Sequence, residues 1–321
     1  RGGTKTTESA ITISGNLTVG SGATFAAGAL NVALKGNFSN NGTFTAGTGT
    51  VTLSGTAAQT ISGTSVTTFN NLTVNNSNGV TLENSETVGG TLTLTSGKIT
   101  LGANTLTIAG SISGFDASKY VITDGAGKLK INNIGSTEKT FPIGTTSSYN
   151  PLYITNTGTT DNFSVNVKAG FTTNPPDVTR AINREWNVSE DIEGGSDATL
   201  RFQFNSGEPN SNFAFNNTYA VGHYEGSLWV GKEATITGTD YPYTIDVSGM
   251  TSFSPFAVGN QGAMPVTLTS LTSSVVGRNV NLKWVTSEEI NNSGFDVERK
   301  SVSGDYVKIG FVRQNGTVST P

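Results

Sequence analysis

The residue type best suited to proton transfer near neutral pH occurs once in these 321 residues, as His223. It sits in Tyr219-Ala220-Val221-Gly222-His223-Tyr224, an alternating run that puts it on one strand face with Tyr219 and Val221. A catalytic histidine needs a nucleophile and an orienting acid within reach, and none lies nearby in sequence, so a structural histidine is expected. Cysteine is absent, which removes disulfides, thiolate metal sites and thiol nucleophiles. Glycan cleavage or calcium binding would need clustered acids. Residues 9–82 carry a single charge, Lys35, and the later acids Glu83, Glu86, Asp116 and Asp124 are scattered through expected turns. Trp186 and Trp229 could stack on sugar rings, although core packing is the commoner fate of such side chains. No catalytic, cofactor-binding or metal-ligating residue is assigned from the sequence.

The composition places these residues on strands. Charged residues make up 13% of the chain, against about 25% in an average soluble protein. Net charge is −4, and no basic stripe exists to neutralise phosphates, so nucleic acid is not an expected partner. No apolar run reaches the roughly 18 residues of a membrane-spanning helix, and no basic amphipathic helix is present. Forty glycines, with abundant Thr, Ser and Asn, separate apolar residues that alternate regularly, which is the texture of strand and turn rather than of disorder. The chain begins at Arg1 rather than Met, and removal of an export signal is the expectation.

Between residues 9 and 110 the same apolar-polar-apolar triplet recurs, as in Ile11-Thr12-Ile13, Leu17-Thr18-Val19, Val51-Thr52-Leu53, Leu72-Thr73-Val74, Leu92-Thr93-Leu94 and Leu106-Thr107-Ile108. Each reads as a short strand with one buried face. The spacing adds a second signal: 19 residues from Val32 to Val51, from Leu34 to Leu53 and from Leu53 to Leu72, and 20 from Leu72 to Leu92. An independent series keeps step, with 19 residues from Val80 to Ile99 and from Leu82 to Leu101. A period near 20 with two or three strands predicts the coils of a parallel β-helix. A sandwich of evenly spaced hairpins is the competing reading.

The repeat fades after Gly114, and residues 115–145 are expected to cap the solenoid. From residue 146 strands lengthen and aromatics rise: Phe163, Val165 and Val167 alternate, as do Ile182, Trp186 and Val188 around Arg184, then Leu200, Phe202 and Phe204, and Tyr243, Ile245 and Val247. This predicts an antiparallel β-sandwich. The fold class is therefore all-β, with a parallel β-helix over 1–145, a sandwich over 146–262 and a third unit over 263–321.

Several runs in the second half resemble a known family. They include Phe141-Pro142-Ile143-Gly144, Tyr149-Asn150-Pro151-Leu152, Asn183-Arg184-Glu185-Trp186-Asn187-Val188 and Thr251-Ser252-Phe253-Ser254-Pro255-Phe256-Ala257-Val258-Gly259. In the tail, Val280-Asn281-Leu282-Lys283-Trp284, Asn291-Asn292-Ser293-Gly294-Phe295-Asp296-Val297-Glu298-Arg299 and Tyr306-Val307-Lys308-Ile309-Gly310-Phe311-Val312 resemble a fibronectin type III-like module. Proteins with such runs are large bacterial surface proteins exported by the type IX secretion system. The resemblance covers residues 141–321 and implies an extracellular, cell-surface location among adhesins, coats and filaments. A fibronectin-like sandwich has seven strands, and this stretch supplies about four. Three readings stay open: a continuing chain, completion by strand addition from a neighbour, or a short domain.

The expected function is structural, not enzymatic: a subunit of a surface filament or coat, self-associating at its ends through exposed β-edges and a neutral Thr/Ser/Asn wall. An adhesin binding glycan or a host surface is the alternative, and a polysaccharide-degrading β-helix enzyme comes third. No cofactor is expected.

Overall fold

The computed structural model describes residues 4–6, 10–215, 218–263, 268–277, 279–286, 294–300 and 306–313. Among them no α-helix occurs, and the front of the chain is a parallel β-solenoid of about six turns. Each turn contributes short strands to three sheets. The first sheet stacks Ile11–Ile13, Val32–Leu34, Thr50–Leu53, Asn71–Asn75, Thr91–Ser96 and Ser111–Ser113. The second runs from Leu17–Val19 through Phe38–Asn40, Gln59–Ser62, Val80–Leu82 and Ile99–Thr100 to Val121–Ile122 and Ile143–Gly144. The third position is filled by Thr4–Thr6, Thr24–Ala26 and Thr43–Thr45, then by Thr68–Phe69, Glu86–Val88, Leu106–Ile108 and Leu129–Ile134.

Alternation explains why the triplets stack. On the first sheet Val32, Leu34, Val51, Leu53, Leu72, Val74, Leu92 and Leu94 all point inward and are buried, while the intervening Thr52, Thr73 and Thr93 face out. Burying each aliphatic side chain contributes about 1.5–3 kcal/mol, which offsets the ordering of a short coil that could not fold alone. The early coils are filled by rings instead: Phe38 lies 5.4 Å from both Phe44 and Phe69, and Phe44 stacks 5.9 Å from Phe25.

The register corrects one expected spacing. Leu72 pairs with Val51 and Val74 with Leu53, a step of 21, so the 19-residue spacing from Leu53 to Leu72 is not a coil step. Period-2 strands conceal such an error, because a two-residue slip leaves every apolar side chain facing inward. The true step varies from 19 (Val32 to Val51) to 23 (Phe38 to Ile61), with the corners absorbing the difference.

Asparagine holds those corners. The Asn16 Oδ1 accepts the Asn37 N–H at 2.8 Å, and the Asn37 Oδ1 accepts the Thr60 N–H at 3.0 Å, linking three successive coils. Asn31 and Asn71 accept the Thr50 and Thr91 N–H groups in the same way, at 3.0 and 2.8 Å. A corner backbone group that turns away from the sheet ladder needs such a partner. Asn71→Ala is expected to destabilise the protein by about 1 kcal/mol, and Asn71→Asp, which keeps the acceptor, by less; urea unfolding at neutral pH measures both. At another corner Gly97 has φ +80°, and a Cβ there would lie 1.8 Å from the Asn76 carbonyl oxygen, so only glycine fits.

Parallel stacking continues past Gly114 into the stretch 115–145 expected to cap the solenoid. Val121–Ile122 pairs in parallel with Ile99–Thr100, and Ile143–Gly144 then pairs with Val121–Ile122. The longer steps here, 22 residues from Ile99 to Val121 and 23 from Leu106 to Leu129, hide the period. Leu129–Ile134 is the junction. One edge pairs in parallel with Leu106–Ile108, the other antiparallel with Asp161–Ala169. The solenoid's third sheet therefore runs on into antiparallel strands, making a sheet of 13 strands. At this end the edge of the third sheet is paired within the chain. On the first sheet Ser111–Ser113 is the last strand at this end.

Beyond the junction the antiparallel order is Asp161–Ala169, Ala181–Glu190, Pro255–Asn260, Tyr219–Glu225, Leu228–Thr237, Tyr243–Met250, Ala198–Phe204, Leu152–Asn156 and Lys139–Phe141. Non-adjacent members face each other. Trp186 lies 5.1 Å from Phe202, which lies 5.7 Å from Phe256, and all three rings are buried. Residues 268–313 contain two hairpins, Leu268–Val276 with Asn279–Thr286 and Gly294–Lys300 with Tyr306–Arg313. The tail motif residues Asn291-Asn292-Ser293, together with residues 264–267 and 314–321, lie outside the described residues.

Candidate interaction surfaces

The chemistry-bearing side chains were the first candidates, and most are buried. His223 points inward, stacked 4.7 Å from Phe256, with Nδ1 3.7 Å from the exposed Glu225 carboxylate. Burial lowers its pKa, so the ring is neutral at physiological pH. Its Nε2 is buried and has no hydrogen-bond partner among the described residues.

Trp186 and Trp229 cannot form one platform. Trp186 shares its strand face with Val188 and donates its indole N–H to the Asn150 carbonyl at 3.2 Å. Trp229 pairs with Tyr224 on the opposite face of the sheet, where the 170–176 loop covers it and Asn174 O accepts its N–H at 3.2 Å. Strand parity, not distance along the chain, separates them. Beside that loop lies a depression of about 470 Å³ lined by Phe171, Asn174, Asn183 and Asn210 among others, with no acid or base in its wall.

Two buried acid sites were not anticipated. Arg184 alternates with Ile182 and Trp186 on the inward parity, so its guanidinium enters the core. There it meets Glu208 Oε1 at 2.9 Å, Asn150 Oδ1 at 3.1 Å and the Asn183 carbonyl at 2.6 Å. Glu208 also accepts from Asn150 Nδ2, the Asn205 N–H and the Ser148 hydroxyl. Every charged atom is engaged, and the cluster ties three separate segments together, 148–150, 183–184 and 205–208. A cation on the apolar parity of a strand is the sequence signal for such a pair.

Glu86 is the second. It takes the inward position that Leu106 takes one coil later. Its Oε2 accepts the Thr67 N–H at 2.5 Å, while its Oε1 and the Asn84 Oδ1 are both buried without partners among the described residues. Burial pushes its pKa up from 4.5 to about 7, and the Thr67 hydrogen bond only partly opposes that rise. Its position 20 residues before Leu106, within Glu86-Thr87-Val88, is the signal that scattered-acid reasoning passed over. Asp116 and Asp124 lie exposed on loops, where they bond Ser118 and Thr146 respectively. Among the described residues no group of three or more His, Asp or Glu could hold a metal ion, and no helix is long and apolar enough to cross a membrane.

What the surface offers instead is apolar and neutral. In the hairpin 268–286, Leu271 pairs with Trp284, Ser273 with Leu282 and Val275 with Val280, so all six lie on one face. Leu271, Val275 and Val280 are 60%, 73% and 61% exposed. The second hairpin exposes Tyr306, Val307, Ile309 and Phe311. Its Phe295 touches Trp284 at 5.7 Å, which joins the two hairpins through their rings. The solenoid wall is different: Thr, Ser and Asn point outward along the first sheet, and hydroxyls bridge neighbouring coils, Thr91 to Ser111 at 3.0 Å and Thr93 to Ser113 at 3.3 Å.

These features define a class, an all-β protein built on a parallel β-solenoid. No family model matches the chain, and no curated protein or solved structure is significantly similar to it.

Proposed function

We propose that this chain is a non-catalytic structural protein of the cell exterior, a subunit that associates with further copies of itself into a filament or coat. The observation that supports this most strongly is the uncovered apolar face of Leu271, Val275, Val280 and Leu282. A contiguous exposed apolar face on a hairpin is unstable alone in water and marks an association surface. The facing rings of Trp186, Phe202 and Phe256 favour reading the antiparallel strands as a sandwich. The Trp284–Phe295 contact favours reading the two hairpins as part of a fibronectin type III-like unit whose sheet a second copy completes. Export by a type IX pathway belongs to the same proposal and rests on the sequence resemblance.

Sedimentation velocity over a concentration series tests it. The protein is expected to form larger species as concentration rises. Leu271→Thr with Val280→Thr is expected to weaken association by more than about 10-fold, because two aliphatic side chains lose their burial. A monomer at every concentration, with no filaments or sheets by electron microscopy, excludes the proposal.

The adhesin reading loses its Trp186 and Trp229 platform, but a separate aromatic cluster favours it.

A further inference from the structure

Six rings gather where three segments of the antiparallel region meet: Phe204 at a strand end, Phe213, Phe215 and Tyr219 in and after the next loop, and Tyr241 and Tyr243 before the strand Tyr243–Met250. They are graded from inside to outside. Phe204 is fully buried, Phe213 is half-buried, and Phe215 is 44% exposed. Phe215 lies 4.7 Å from Tyr243 at 36° and 5.9 Å edge-on from Tyr241, while Phe204 stacks beneath Tyr243 at 5.8 Å. Tyr241 and Tyr243 are themselves half-buried, so the outer three rings make a supported aromatic rim.

A second observation points to a polar ligand there. Tyr219 is 7% exposed, its ring packs 6.0 Å from Phe213, and its hydroxyl has no hydrogen-bond partner among the described residues. Burial raises the pKa of this phenol, and Tyr243 adds to the rise. A buried phenol without a partner costs free energy that a ligand hydroxyl would recover. Aromatic faces beside an unpaired hydroxyl suit a sugar ring, which carries apolar C–H faces and an equatorial belt of hydroxyls.

Charge narrows the class. Residues 204–219 and 238–243 contain no Lys or Arg; of their two carboxylates Glu208 is buried against Arg184, which leaves Asp240 as the charge beside the rim. Anionic polysaccharide would meet repulsion at this rim, whereas neutral glycan would not. We propose that the Phe215–Tyr241–Tyr243 rim, with the Tyr219 hydroxyl beneath it, binds a neutral polysaccharide chain. The inference deepens the adhesin reading and does not depend on self-association.

The test is affinity electrophoresis and titration calorimetry of the whole protein with neutral β-1,4-linked oligosaccharides of glucose, N-acetylglucosamine, mannose and xylose, and with polygalacturonate as the anionic comparison. At least one neutral chain is expected to bind, and polygalacturonate is not. Phe215→Ala is expected to weaken binding by about 10-fold, on the scale of one lost stacking contact. Tyr219→Phe removes one oxygen and leaves the packing intact; it is expected to weaken binding several-fold with an unchanged circular dichroism spectrum. Neutral glycan binding that survives both substitutions overturns the site while leaving the adhesin reading standing. No binding to any neutral chain, or a preference for polygalacturonate, overturns the inference itself.

Discussion

Arg184→Ala is expected to destabilise the antiparallel region by about 3–5 kcal/mol, the largest single effect foreseen for this chain. The reason is asymmetric. Arg184 and Glu208 are nearly excluded from water, at 8% and 3% exposure, and each satisfies the other through a 2.9 Å contact. Removing the guanidinium leaves a buried carboxylate whose remaining partners, Asn150, Asn205 and Ser148, are neutral. Glu208→Ala should cost a similar amount by stranding the cation, and the double substitution should cost clearly less than the sum, since neither charge is then left alone. The Trp186 indole is bonded to the Asn150 carbonyl of this cluster, so its fluorescence reports the melting. A loss below about 1 kcal/mol in either single variant would mean that water reaches the pair and that the cluster is not a core element.

The solenoid is expected to grow less stable between pH 4.5 and pH 7 through Glu86 alone, by up to about 3 kcal/mol. The sign follows from the direction of the shift. The folded coil raises the carboxyl from 4.5 to about 7, so over that interval the folded state holds a proton that the unfolded state has released. Stability from this group is complete below pH 4.5, falls as pH rises, and is exhausted above pH 7. Geometry supplies the cause: Thr67 and Thr68 on one neighbouring coil, Leu106 on the other, and Asn84 and Ser85 on its own coil bring no positive charge to compensate the carboxylate. A protonated Glu86 can donate to an acceptor such as Asn84 Oδ1, and both oxygens otherwise lack partners among the described residues. Glu86→Gln provides a permanent donor. The variant should match the wild type near pH 4.5 and exceed its stability at pH 8. The difference between the two denaturation curves isolates this group from all others, and a gap that does not change with pH would refute the assignment.

Much of the architecture was legible without coordinates. Triplets such as Leu72-Thr73-Val74 and Leu92-Thr93-Leu94 state both their conformation and their buried face, because strand side chains alternate with period 2. The number of residues per coil was legible only approximately. An inward Val51 and an inward Leu53 are equivalent partners for Leu72, so periodicity cannot choose between steps of 19 and 21, and hydrogen bonding between coils does. The sixth coil was hidden for a related reason: lengthened corners around Asp116 and Asp124 break the spacing but not the stacking.

Side-chain fate was the least legible. Which residues could do chemistry followed from residue type: a single histidine, no cysteine and few acids. Where they point was decided by the fold. Parity sends Trp186 and Trp229 to opposite faces, and it carries Arg184 and Glu86 inward. Chain reversal then brings Glu208 to the first of these and no cation to the second. The aromatic rim of Phe215, Tyr241 and Tyr243 is likewise assembled from loops about 26 residues apart in the chain. Local alternation is a property of a few consecutive residues and is written in them. The partner of a buried charge or ring depends on which distant segment the sheet order places beside it, and only the tertiary structure decides that.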